Sequence, residues 1–432
     1  MAELLAAELM RTPGVRRFLD GMLDDLLARR NLLVLLPSGE DLPIWETLRQ
    51  ELWRRDFHVR DVYLPDLLGG RTPAAELGER LGVKWQSTHA PRTTENLVRT
   101  IAATDSPPDI IYLGGYEKLP EGERRVWEEF VLEWVYHQQV AGQERVPGCL
   151  CVVGPAAAFS SRLPRDSVRL SVRWWWGMPS SLELQLLCRI ADVGNATELE
   201  FRWREFQLPA LAGNDVALAE YLWDKVFLGV GELAEHLGAY GVQIRGWTKD
   251  RLLEWRAEEL ISCRQGVDIQ QGLVPPEQWH ALWKEGMLWW TPEYGVELHT
   301  AALVVMDRQE DLVHRIWRGQ TPLLLPFIDR VRMTLCGYLS QRYGSDWAVR
   351  WSTPLDPADE AAARRSSLAC PWGHVEYLLR RCDHFRAEKR WLNLVMWMRQ
   401  VRNELAHYRS IPFGDYERLW SQFKQAQTLG LR

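Results

Sequence analysis

The chain contains no run of about 18 apolar residues, so no membrane span is expected. Its N-terminus, MAELLAAELMRTPGVRRFLDGMLDDLL, spreads acidic residues through a stretch that lacks the apolar core and small-residue cleavage site of a secretory signal. Both absences point to the cytoplasm. Cysteine is sparse: seven copies, an odd number, scattered and mostly within apolar runs, as at Cys149, Cys151, Cys188 and Cys336. That usage suits reduced, buried thiols and argues against a disulfide framework. No Asp/Glu pairing suggests a glycosidase or a two-metal site, and Ser38 and Ser160-Ser161 have no base at useful spacing.

What the chain does have is length, tryptophan and uneven charge. Its 432 residues are enough for two to four domains of about 100–200 residues. Hydrophobic content of 46% and charged content of 25% fit a soluble globular protein. Tryptophan occurs 23 times, with Trp174, Trp175 and Trp176 in a row, which reads as apolar filler and partner-facing anchors. The segment from Val172 to Leu187 is expected to be either a partner surface or buried under the C-terminal domain. Net charge is -6, yet residues 311–432 hold 19 Lys and Arg against 12 Asp and Glu, a balance of +7. A basic C-terminal third on an acidic chain is an electrostatic footprint for nucleic acid, or for docking onto an acidic partner.

The first third alternates apolar strands with amphipathic helices. Asn31–Leu36, Phe57–Leu64, Asp109–Leu113 and Cys149–Val153 read as strands. Helical patterns fall at Ile44–Arg55 and around Val126, Phe130, Val131 and Trp134. This order predicts a parallel sheet covered on both faces. It resembles nucleotide triphosphatases of the P-loop class, but the machinery is degenerate. The loop after the first strand reads Pro37-Ser38-Gly39-Glu40-Asp41-Leu42-Pro43, without the lysine and hydroxyl that hold phosphate and Mg²⁺. Glu40 and Asp41 would repel a triphosphate, and the third strand ends in Gly114-Gly115 where a metal-holding Asp belongs. The resemblance is to inactive STAND-type ATPase-like modules of bacterial conflict systems, and it implies a domain over residues 1–195 that neither binds nor hydrolyses a nucleotide cofactor.

Residues 196–308 turn mostly helical. A helix opened by Pro276-Glu277-Gln278-Trp279 runs to Gly286, and Met287–Trp290 with Val296–Val305 reads as a hairpin around a Thr-Pro-Glu-Tyr-Gly turn. That outline is winged-helix-like. The acidic local charge favours packing or partner contact over DNA readout.

The C-terminal domain, residues 309–432, reads as an all-α bundle. His314–Leu339, Val375–Leu379 and Trp391–Tyr408 are helical, separated in part by a Pro- and Asp-rich loop or lid from Asp346 to Glu360. Arg315-Ile316-Trp317-Arg318-Gly319-Gln320, then Leu323–Arg332 (LLLPFIDRVR), precede Arg402-Asn403-Glu404-Leu405-Ala406-His407. Together these resemble HEPN domains of the Swt1-like kind. The resemblance implies a dimerising helical bundle and metal-independent cleavage of RNA, with Arg402 and His407 as the catalytic pair and Asn403 as the polar position between them. It also implies a protein partner in a defence complex or toxin–antitoxin pair, or a non-enzymatic scaffold that grips RNA.

The residue chemistry agrees in part. Histidine moves protons near neutrality and arginine neutralises phosphate through a planar fork. At about 100° per residue, Trp391, Leu394, Val395, Met398, Val401 and Leu405 make one apolar stripe, with Arg402 at its edge, an interface position. His407 lies about 140° further round, so a single chain separates the pair and two copies could unite it. The alternative has Arg402 paired with a carboxylate such as Asp329 and His407 capping the helix terminus. Cys370, His374, Cys382 and His384 are zinc-ligand types, but their spacing is too tight for a common finger, and no metal is expected.

Overall fold

All six residues of β1, Asn31–Leu36, are buried, as are six of the seven in β4, Cys149–Pro155. A strand covered on both faces has no solvent side, so its sequence runs apolar without alternating. With β2 (Val59–Tyr63), β3 (Ile110–Gly114) and β5 (Leu170–Trp174) they form a five-stranded sheet in the order β2-β3-β4-β1-β5. Every neighbouring pair is parallel. The protein is thus a mixed α/β fold. This computed structural model describes residues 7–40, 42–67, 69–85, 91–140, 147–159, 165–191, 196–262, 274–351 and 357–431. Among them no helix is long and apolar enough to cross a membrane.

Three helices frame the sheet: α1 (Pro13–Leu27), α2 (Ile44–Trp53) and α3 (Glu121–Val140). In α3 the residues Trp127, Phe130, Val131 and Trp134 are buried, while Val126 turns outward. Buried polar groups fix the register. Asn31 donates to Gln138 Oε1 at 2.6 Å and accepts from the Leu150 N–H at 2.8 Å, tying β1 to α3 and β4. On the adjoining edge strand, Asp25 of α1 accepts from Ser171 and Arg173 of β5 at 2.6 and 2.7 Å. Burial raises the Cys149 thiol to about 11, which keeps it protonated and unreactive at neutral pH.

Within Val172–Leu187 the tryptophan run packs into its own unit, while Leu182 and Leu186 further along are exposed. Trp175 and Trp176 are buried, and the rings that cover the run belong to the same compact unit. Phe18 meets Trp175 edge-on at 5.5 Å, and Trp283 lies 4.9 Å from Trp174. Three tryptophans in a row therefore end an edge strand and fill its surroundings.

Contacts divide the chain into two compact units. The first comprises residues 1–187, 213–217 and 247–299; the second comprises 188–212, 218–246 and 300–432. The hairpin of the first unit is β6 (Leu288–Thr291) and β7 (Gly295–Leu298), paired antiparallel. Its second strand is shorter than the expected Val296–Val305, because Thr300–Val305 is helical. The ladder stops where His299 turns inward to bond the buried Asp215 at 3.0 Å, between Trp247 and Trp289.

The second unit is helical. Helix α4 (Glu198–Ala212) crosses α5 (Gln309–Tyr343) at Gly319, where a Cβ would stand 2.8 Å from the Phe206 carbonyl oxygen. Only glycine permits that approach. Helix α5 continues through Pro322 and Pro326, longer than the sequence reading at both ends. Helices α6 (Trp372–Arg381), α7 (Leu392–Ala406) and α8 (Phe413–Thr428) follow in the same unit. The stretch from Asp346 to Glu360 is not wholly a loop: Trp347–Arg350 is helical, with Trp347 fully buried, and a helix begins at Pro357. Residues 352–356 lie outside the described ones. The start of α7 is held by Glu388, fully buried, which accepts from Tyr338, Tyr343 and Trp391 at 3.0–3.1 Å and pairs with Arg342.

Candidate active site

Helix α7 buries Leu394, Val395, Met398, Val401 and Leu405, with Trp391 just ahead of it, which is the stripe read from the sequence. Arg402 is not confined at the edge of that stripe; it is exposed. Its guanidinium donates to its neighbour Asn403 Oδ1 at 3.3 Å. The alternative pairing with Asp329 is not made. Asp329 instead takes Arg332 one turn along α5, at 2.7 Å.

Arg402 and Asn403 open onto a cleft of about 590 Å³ shared by α5, the start of α6 and α7. Asp329, Arg332, Trp372 and Arg399 also line it. Arg399 is paired with Glu376 at 2.7 Å. Two of the three arginines on this cleft are thus neutralised by carboxylates. Among the described residues no carboxylate lies within ion-pair distance of Arg402.

His407 is the residue that closes α7, exposed, with its N–H bonded to the Asn403 and Glu404 carbonyls at 3.1 Å. It does not line the Arg402 cleft. The two groups are five residues apart on one helix, about 7.5 Å along its axis and about 140° around it. The helix end that bears His407 is fastened twice to α5. Trp317 Nε1 donates to the Leu405 carbonyl at 2.6 Å, and Gln320 holds both backbone groups of Ile411, each at 2.8 Å. These clamps come from the same Arg315–Gln320 stretch that stood out in the sequence, although the sequence did not show what it touches.

Of the four zinc-ligand types, His374 Nε2 bonds the Ala348 carbonyl at 2.7 Å, and Cys382 Sγ lies 3.6 Å from His384 Nδ1. Among the described residues no three such groups converge.

In open α/β sheets, ligands bind outside the carboxyl ends of the strands. Here the ends of β1 and β5 are filled. Trp175, Trp176, Trp283 and Trp289 surround a remaining space of about 20 Å³, room for about one water. The Ser38 N–H, in the loop where a phosphate would sit, donates to the Lys284 carbonyl at 2.8 Å. Along β5 a larger cavity, about 840 Å³, is lined by Phe18, Trp174, Trp176 and Leu182. Sequence reading missed it because β5 itself was not identified. The chain matches no protein-family model, no curated protein and no solved structure.

Proposed function

We propose that this chain is a metal-independent endoribonuclease of the HEPN type, active as a dimer and governed by a non-hydrolysing, ATPase-like α/β region in a bacterial anti-phage or toxin–antitoxin setting. One observation carries the reading. Arg402 and His407 are both exposed on a helix whose apolar face is already buried, and among the described residues no carboxylate pairs with Arg402. An exposed histidine and an uncompensated arginine contribute little to folding, and they suit a phosphodiester.

In this mechanism His407 takes the proton from a ribose 2′-hydroxyl. The 2′ oxygen attacks the adjacent phosphorus, the bond to the 5′ oxygen breaks, and a second imidazole protonates that leaving oxygen. Arg402 stabilises the charge that develops on the phosphoryl oxygens, and Asn403 holds the guanidinium at its Oδ1. The angular separation of Arg402 and His407 favours supply of the two groups by two protomers about a two-fold axis. The requirement for a 2′-hydroxyl restricts the substrate to RNA. The filled crevice at the ends of β1 and β5 supports a sensor that takes no nucleotide. A cytoplasmic location and a protein partner belong to the same proposal.

The test is incubation of purified protein with cellular RNA in EDTA, beside Arg402→Ala and His407→Ala. Cleavage by the wild type that falls at least about 100-fold in both variants, and rises steeply with protein concentration, is the expected result. The separation of the two groups within one chain favours a second reading, a scaffold subunit that grips RNA without cutting it. No cleavage at any concentration, with retention of a larger partner during purification, would establish that reading instead.

A further inference from the structure

We infer that Tyr408, backed by Trp317 and His314, forms a stacking floor for an unpaired base of single-stranded RNA beside His407. The inference rests on the nuclease reading, whose substrate class it narrows.

The backbone is the first observation. Helix α7 ends in a Schellman motif: the Tyr408 N–H bonds the Leu405 carbonyl at 3.3 Å, and the Arg409 N–H bonds the Glu404 carbonyl at 3.0 Å. Tyr408 occupies the left-handed position of that motif, at φ 58°. Glycine is the residue that fits there without strain. Four other described residues besides glycines adopt positive φ, namely Arg29, Asp56, Arg256 and Asp307; none is aromatic. A bulky ring kept where glycine is favoured marks a position held for something other than stability.

The second observation is the ring itself. Tyr408 is 62% exposed, directly beside the exposed His407. It is nonetheless fixed in place. Its ring centroid lies 4.8 Å from that of Trp317 and 6.1 Å from that of His314, and His314 stacks on Trp317 at 5.2 Å. Trp317 is itself tethered through Nε1 to the Leu405 carbonyl. The result is an aromatic tier with one face on α5 and its outer member in solvent. Bases stack on such surfaces without regard to sequence, provided that they are unpaired, because every base has a π-face and a duplex hides it. A ring fixed one residue from His407 would hold the nucleotide so that its ribose meets the imidazole.

Tyr408→Gly separates this role from packing, since glycine keeps the Schellman geometry and removes only the ring. The full chain would be titrated with a 12-nucleotide 2′-O-methyl RNA strand, which lacks the nucleophile, and with the same strand in a duplex. Expected are tighter binding of the single strand, an affinity about ten- to a hundredfold lower for Tyr408→Gly, and near-wild-type binding for Tyr408→Phe. The thermal midpoint of Tyr408→Gly should move by less than about 4 °C. Equal binding by wild type and Tyr408→Gly, equal affinity for strand and duplex, or no binding of the single strand would each overturn the inference. Tyr408-dependent binding without cleavage of natural RNA would leave the stacking floor standing and remove the nuclease. Cleavage with binding indifferent to Tyr408 would do the reverse.

Discussion

Gln320→Ala should loosen the end of α7 that carries His407. Gln320 has no exposed surface, and Ile411, the residue it holds, is 6% exposed. The Gln320 side-chain NH₂ donates to the Ile411 carbonyl and its Oε1 accepts the Ile411 N–H, both at 2.8 Å. Alanine leaves a buried donor and a buried acceptor without partners. Each costs about 1–3 kcal/mol, so the pair costs about 2–6 kcal/mol, with the lower end reached if water enters. A chain of two compact units need not unfold in one step, so a local readout is the sharper one for this clamp. Amide exchange followed by mass spectrometry over residues 405–412 reads the clamp locally. At tenfold per 1.4 kcal/mol, the lower bound of 2 kcal/mol is about a 30-fold acceleration. Exchange within about threefold of wild type in Gln320→Ala would refute the claim that Gln320 holds this segment.

Two further outcomes concern the first unit. Glu183 is buried, which alone would raise its carboxyl. Donors outweigh that effect, namely the Ser180 N–H and hydroxyl, the Thr12 hydroxyl and the Gly14 N–H, and hold it below the usual carboxylate range. A depressed folded value means that its stabilisation is present above the unfolded value of about 4.3 and is lost as pH falls through the folded one. Glu183→Gln should therefore cost about 1.5–3 kcal/mol at pH 7 in urea unfolding, and the gap from wild type should narrow as pH falls through the depressed folded value. A gap that is constant with pH would show that the charge is not involved. Gly213→Ala should be more damaging. The position has φ 59°, and a Cβ there would fall within the Trp289 ring. Left-handed strain of about 1–2 kcal/mol and overpacking of about 1–3 kcal/mol add to about 2–5 kcal/mol. Differential scanning calorimetry checks it, and an unchanged transition would mean that Trp289 can yield.

The parallel sheet was legible because a strand buried on both faces writes its burial into consecutive residues, as Asn31–Leu36 and Cys149–Pro155 do. The face of α7 was legible for the matching reason, a repeat near 3.6 residues. Strand β5 was not, since its serine, arginine and tryptophan read as polar and surface-seeking. Ser171 and Arg173 are held by Asp25, and the tryptophan that follows the strand by Phe18, partners roughly 150 residues earlier.

By itself the sequence determined which residues share a strand or a helix face, because those periods are local geometry. It also placed arginine, asparagine and histidine on one helix end and removed the chemistry of a phosphate-binding loop. Only the tertiary structure decided that four tryptophans fill the sheet's crevice, that Gln320 and Trp317 grip the end of α7, and that Arg402 faces a cleft whose carboxylate, Asp329, is taken by Arg332. Each of these depends on partners far apart in the chain, and no local periodicity encodes who meets whom across such distances.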